Sequence, residues 1–174
     1  MKLVRYGQMG REKPGLIDAD GKLRDLSHVI ADVTPEHLSD KALAKLARIK
    51  TASLPLVKGK PRMGCPISHV GKFIAIGLNY VDHAAEAGLP IPKEPIIFMK
   101  ATSCIQGPDD AVMLPKGSVK TDWEVELAVV INSRTSYLSN PDESARVIAG
   151  YAISNDVSER EFQLERGGQW DKGK

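Results

Sequence analysis

Two carboxylates stand two residues apart inside an apolar run at Asp122-Trp123-Glu124-Val125-Glu126-Leu127-Ala128-Val129-Val130-Ile131. The run predicts a strand, whose two-residue period puts Glu124 and Glu126 on one face and Trp123, Val125 and Leu127 on the other. Like charges side by side on a sheet repel, and a carboxylate among β-branched residues is costly unless something neutralises it. A divalent cation is one such neutraliser. A third acid, Asp156, follows the apolar stretch Gly150 to Ser154. Three carboxylates form a hard oxygen site suited to Mg²⁺, Mn²⁺ or Ca²⁺, and no Cys/His cluster of zinc type competes. The plainer alternatives stay open: Glu-x-Glu also suits a solvated strand face, and Asp156 with Glu159 has the spacing of a capping box.

Other residues have types and spacings that could work beside these acids. His83 and Glu86 are three apart on a short predicted helix, so they can meet on one face as a carboxylate-oriented general base for water, or lie there as a surface pair. Arg160 and Gln163 repeat that spacing one turn beyond Asp156, placed either to hold a substrate carboxylate or carbonyl or to form an exposed helix face. Lys172 and Lys174 lie in a glycine-rich stretch, where a lysine is ordinarily solvated. Cys104 reads as a small buried residue, and Trp123 and Trp170 as packing anchors.

The elements that must position these groups follow from the apolar pattern. Lys2 to Tyr6, Gly15 to Asp18 and Leu23 to Leu26 read as short strands, with Asp20-Gly21 as a hairpin signal. Thr34-Pro35 opens a helix that runs to about Ile49. Pro55, Gly59, Pro61, Gly64 and Pro66 mark a linker at about 52 to 70. The chain is thereby expected to divide into a small N-terminal α/β module over 1–60 and a second domain over 61–174. In the second, Lys72 to Gly77, Pro95 to Lys100, Ala111 to Leu114, the acidic strand and Gly150 to Ser154 are predicted strands. Tyr80 to Ala87, about 141 to 148 and about 157 to 166 are predicted helices. Strands outnumber helices without regular alternation, so an α+β class is expected.

Composition narrows the function classes. In 174 residues, 24 Lys and Arg face 22 Asp and Glu, a formal net charge of +2, and there is no basic block with interleaved aromatics. That excludes the footprint of a nucleic-acid binder. No apolar run approaches the roughly 18 residues of a membrane span, and Met1 to Tyr6 lacks the apolar core of a signal peptide, so a cytoplasmic protein with no membrane partner is expected. Cys65 and Cys104, the only two cysteines, are expected to be reduced thiols.

The order of these segments is similar to that of the fumarylacetoacetate hydrolase family. The resemblance rests on Gly77-Leu78-Asn79-Tyr80-Val81-Asp82-His83-Ala84-Ala85-Glu86, Pro95-Ile96-Ile97-Phe98-Met99-Lys100, Asp122-Trp123-Glu124-Val125-Glu126-Leu127, Asn155-Asp156-Val157-Ser158-Glu159-Arg160-Glu161-Phe162-Gln163 and Gly168-Gln169-Trp170 with Gly173-Lys174. It runs nearly continuously from 70 to 174, and the stretch from Ser158 to Trp170 most resembles bacterial members named ureidoglycolate lyase or 2,4-diketo-3-deoxy-sugar-acid hydrolase. The resemblance implies a mixed β-roll working as a homodimer, with Glu124, Glu126 and Asp156 holding Mg²⁺, Mn²⁺ or Ca²⁺. It implies His83 and Glu86 as the water-activating pair, Arg160 and Gln163 as substrate contacts, and Lys174 as the cation that steadies developing negative charge. The implied reaction is hydrolysis of a C–C bond in a 2,4-diketo acid. Lyase, decarboxylase or tautomerase chemistry on a small 2-oxo acid or ureidoglycolate is the alternative. The chain departs from the family at Leu78, where many relatives carry arginine. The family domain also continues past a Gly-Lys motif of this kind, through further strands and a Thr-Gly-Thr loop. A C-terminally truncated form is therefore expected, and with it a third reading, an inactive metal-binding or interaction module.

Overall fold

The computed structural model describes all 174 residues. The fold is α+β: one three-stranded sheet and three two-stranded pairs are joined by short helices. Two compact units emerge, each discontinuous in sequence. The first comprises Met1–Val70, Ile105–Val112 and Leu127–Ser154, and the second Gly71–Cys104, Met113–Glu126 and Asn155–Lys174.

The first unit is built on an antiparallel sheet of β1 (Lys2–Tyr6), β2 (Lys13–Ile17) and β3 (Leu23–Asp25). The expected Asp-Gly turn joins β2 to β3. Gly21 supplies the positive φ of 76°, and the Asp18 carboxylate accepts hydrogen bonds from the amides of Asp20 and Lys22 at 3.0 and 2.8 Å. Leu16, Leu26 and Leu54 form its buried core, with Leu3, Ile30 and Ile49 packed against them. Arg5 pairs with Asp32 at 2.7 Å, and Arg62 with Glu12 at 2.8 Å and Asp110 at 2.6 Å. These ion pairs tie segments distant in sequence to the sheet.

The helix expected from Pro35 to Ile49 is two helices. A 3₁₀ turn spans Pro35–Leu38, and α1 spans Asp40–Ala47. The break lies at Ser39, whose backbone is extended (ψ 151°) and whose hydroxyl caps the Ala42 amide. The Thr34 hydroxyl pairs with the His37 ring at 2.9 Å instead of capping the first turn.

Tyr6, 7% exposed, makes one property of this unit sensitive to pH. Burial and a hydrogen bond to Asp25 push its phenol from 10.0 up to about 12. A raised folded value means that the folded state keeps the proton longer than the unfolded one. The associated stability, roughly 2–3 kcal/mol, is present below pH 10 and lost as pH rises through 12. Urea midpoints of the wild type are expected to fall more steeply across that window than those of Tyr6→Phe; equal slopes would refute the coupling.

The second unit contains β4 (Phe73–Gly77), α2 (Val81–Glu86) and β5 (Ile96–Lys100). β4 and β5 pair antiparallel with Phe73 opposite Lys100 and Gly77 opposite Ile96. β6 (Thr121–Asp122) later pairs with β9 (Ser158–Glu159), Asp122 opposite Ser158. Between them in sequence, β7 (Val125–Ile131) pairs with β8 (Ile148–Asn155), and most of that pair belongs to the first unit. β7 alternates as its sequence predicts, but with the apolar side outward: Val125, Leu127, Val129 and Ile131 are exposed and Glu126, Ala128 and Val130 half-buried.

Several local expectations are corrected. The acidic strand is interrupted at Trp123 and Glu124, between β6 and β7. Residues 111–114 form no strand, and Pro141–Val147 is a 3₁₀ helix. The helix expected over about 157 to 166 is β9 followed by a π-helical turn, Glu161–Glu165. No capping box forms there: Glu159 accepts from Ser118 and, at 2.7 Å, from Thr121. Those two hydroxyls hold its carboxyl below the usual range. Cys104 and Trp123 are exposed rather than buried, Trp123 at 72%. No helix is long and apolar enough to cross a membrane.

Candidate active site

The interruption of the acidic strand has a specific local cause. Asp122 turns its carboxylate back to accept from the Trp123 amide at 2.9 Å. The Glu124 amide then donates to the Asn155 side chain at 3.1 Å, and the Asp156 amide to the Glu124 carbonyl at 2.8 Å. These bonds hold Glu124 against Asp156 although they are 32 positions apart in sequence. Ser158 locks the corner, its hydroxyl reaching the Glu124 carboxylate at 3.2 Å and the Asp156 carbonyl at 3.0 Å.

Glu124, Glu126 and Asp156 line one cavity of about 220 Å³ within the second unit, together with His83, Arg160, Gln163 and Lys174. Leu78, Phe98, Leu164 and Trp170 supply its apolar walls. Sequence-distant residues thus converge as a polar set facing an apolar one, the usual composition of a small-molecule site. Glu86 is exposed and is not among the cavity-lining residues, so α2 brings His83 to the site without its expected partner. Leu78 turns the chain from β4 into α2 in the left-handed region, φ 51°, a conformation that costs a non-glycine residue about 1–2 kcal/mol.

Lys174 departs most from the reading of its local sequence. Its side chain is 2% exposed and its ammonium lies 3.0 Å from Asp156, 3.3 Å from Glu124 and 4.7 Å from the centre of the Phe98 ring. A 3₁₀ turn, Trp170–Gly173, delivers it there. The Met99 amide donates to Asp171 at 3.1 Å, and Trp170 packs edge-on against Phe98 at 5.8 Å. Gly173 sits so close to the π-helical turn that an added Cβ would lie 2.6 Å from the Gln163 nitrogen.

Sequence reasoning did not single out Lys100. It is 6% exposed, and its ammonium pairs with Asp156 and donates to the Val157 carbonyl at 3.0 Å. A signal for it exists in Ile96-Ile97-Phe98-Met99-Lys100: strand alternation puts Lys100 on the same buried face as Phe98. A buried ammonium requires an acid opposite.

The donor chemistry can be weighed against a divalent cation. Glu126 has no cationic nitrogen within 4 Å, and its carboxyl is raised, first by burial and then by the negative charges of Glu124 and Asp156. An acid crowded by acids and raised in this way is one that a multivalent cation would stabilise. The oxygen donors therefore suit Mg²⁺, Mn²⁺ or Ca²⁺ in type. In the arrangement observed, however, Lys174 and Arg160 engage Glu124, Lys174 and Lys100 engage Asp156, and no three His, Cys, Asp or Glu residues form a coordinating cluster. The donor set matches a hard cation in chemistry, and in this arrangement lysine and arginine side chains neutralise Glu124 and Asp156.

Clustered acids that an interrupted strand delivers to a cavity with apolar walls have the composition of a small-molecule site. The model of the fumarylacetoacetate (FAA) hydrolase C-terminal family matches residues 72–174, and the chain belongs to that family. Among solved structures, a fumarylacetoacetate hydrolase from Exiguobacterium antarcticum superposes with a TM-score of 0.77 at 27% identity, over 100% of this chain and 61% of that one. A 5-carboxymethyl-2-hydroxymuconate delta-isomerase from Mycobacterium smegmatis gives 0.68 at 29%, over 100% and 62%. A Burkholderia lata protein provisionally named a hydrolase is 60% identical across the whole of this chain. The chain spans 61% of that relative's length.

Proposed function

We propose that this cavity is the active site of a metal-dependent hydrolase that cleaves a C–C bond in a 2,4-diketo acid. The observation that carries the proposal is the convergence of Glu124, Glu126 and Asp156 with His83, Arg160, Gln163 and Lys174 on one half-apolar cavity. A Mg²⁺ or Mn²⁺ ion held by the three carboxylates would supply Lewis-acid polarisation of the 2-oxo acid. The chain's own residues account for the rest. His83 takes a proton from water, whose oxygen attacks the carbonyl carbon remote from the carboxylate. The ammonium of Lys174 offsets the negative charge gained by that carbonyl oxygen. Collapse breaks the C–C bond, the bonding pair leaves as the enolate of the 2-oxo acid, and the proton on His83 returns to that carbon. Arg160 and Gln163 orient the substrate by hydrogen bonding, and Leu78, Leu164 and Trp170 keep bulk water from the far wall.

A second reading has a specific support, since the Mycobacterium smegmatis neighbour carries an isomerase name. The same base and cations then move a proton along the carbon skeleton without adding water. Incubating a 2,4-diketo acid with the protein in H₂¹⁸O separates the two. Hydrolysis yields two shorter acids, one of them carrying the label in its new carboxylate. A product of unchanged mass without added water would establish the isomerase reading instead.

A further inference from the structure

We infer that Asp122 is a positioning residue for substrate binding, which by fixing Arg160 turns the Gln163 amide so that its NH₂ group is the donor offered to an oxygen of the bound acid. The inference rests on the reading of the cavity as a 2-oxo acid site and adds a residue outside the cavity lining.

Arginine carries N–H donors and no acceptor. Arg160 donates from Nη1 to the Gln163 side chain at 3.0 Å, so the atom facing Arg160 must be the amide oxygen. Gln163 is 3% exposed and lines the cavity. With its oxygen committed, the amide presents nitrogen to an occupant and therefore selects an acceptor, such as a carboxylate or carbonyl oxygen, over a hydroxyl acting as donor.

Asp122 determines where Arg160 stands. One carboxylate oxygen accepts from both Nε at 3.2 Å and Nη2 at 2.9 Å. The other is fixed by the Trp123 amide at 2.9 Å, so the acid is anchored to the turn that interrupts the acidic strand. Arg160 also pairs with Glu124. The guanidinium is thus held between two acids, one in the cavity and one behind it. Asp122 is 47% exposed in its side chain, and an ion pair so exposed contributes little to stability. Its consequence is geometric: without Asp122 the guanidinium loses the anchor that fixes its direction, and the Gln163 amide loses the contact that sets its orientation.

The test is calorimetric, with Mg²⁺ alone and then with oxalate at saturating Mg²⁺, on the wild type, Asp122→Ala, Asp122→Glu, Gln163→Ala and Asp122→Ala/Gln163→Ala. Asp122→Ala is expected to weaken oxalate about tenfold while Mg²⁺ affinity changes less than threefold and the melting temperature holds. Asp122→Glu should recover most of the oxalate affinity. The loss from Asp122→Ala should shrink to below threefold in the Gln163→Ala background. Unchanged oxalate affinity in Asp122→Ala, an equal loss of Mg²⁺ affinity, or a full tenfold loss persisting without Gln163 would each overturn the inference. A wild type that binds neither Mg²⁺ nor oxalate would instead overturn the underlying reading of the cavity, and this inference with it.

Discussion

Asp156→Ala is expected to cost the second unit about 3–5 kcal/mol, the loss typical of breaking a buried ion pair by removing one partner. Asp156 is 4% exposed and Lys100 6%. Removing the carboxylate leaves the Lys100 ammonium facing only the Val157 carbonyl at 3.0 Å, and leaves Lys174 to Glu124 alone. The cost belongs to the stranded charge rather than to a net gain from the pair. Lys100→Met/Asp156→Leu, which replaces both charges with apolar side chains, should therefore recover much of the lost stability while still failing to bind Mg²⁺. Urea denaturation followed by far-ultraviolet circular dichroism reads the first effect and titration with Mg²⁺ the second. If the single variant were as stable as the wild type, the burial and pairing described for Lys100 would be wrong.

His83→Gln is expected to lower kcat by roughly 10²–10⁴, the usual contribution of a positioned general base, while Mg²⁺ and oxalate binding stay at wild-type levels. Histidine fits the role because its ordinary titration range is near neutral pH, whereas glutamine keeps the size and hydrogen bonding but cannot take a proton. His83 is the imidazole among the cavity-lining residues. Glu86 lies outside that lining, so Glu86→Gln should change kcat far less than His83→Gln. A wild-type kcat in His83→Gln would remove the base from the account.

The parts of this site that were legible in the sequence are those fixed by short-range rules. Two-residue alternation put Glu124 and Glu126 on the same side, and the burial of β7 preserves that alternation. The Asp20-Gly21 turn followed from the positive φ that its glycine adopts. Long-range electrostatics hid the rest. The glycine-rich stretch around Lys174 reads as solvated, and only the tie from Met99 to Asp171 and the packing of Trp170 on Phe98 bring the ammonium inside. The helix expected at about 157 to 166 does not form because Glu159 is claimed by Ser118 and Thr121, and Ser158 and Glu159 pair with β6. Lys100 ends a strand, and the acid that it pairs with lies 56 residues away, beyond the reach of local pattern. The role proposed for Lys174 rests on family resemblance, because residue patterns alone read it as solvated.

Glu124, Glu126 and Asp156 are proposed to act together on a divalent cation that in turn presents a 2-oxo acid. Isothermal titration with Mg²⁺ and then with oxalate, a mimic of the enolate product, measures it most directly. The wild type is expected to bind oxalate only when Mg²⁺ is present, and Glu124→Ala/Glu126→Ala to lose both affinities by more than about a hundredfold, as removal of two of the three proposed carboxylate ligands implies. Oxalate affinity that survives the double substitution unchanged would contradict the account.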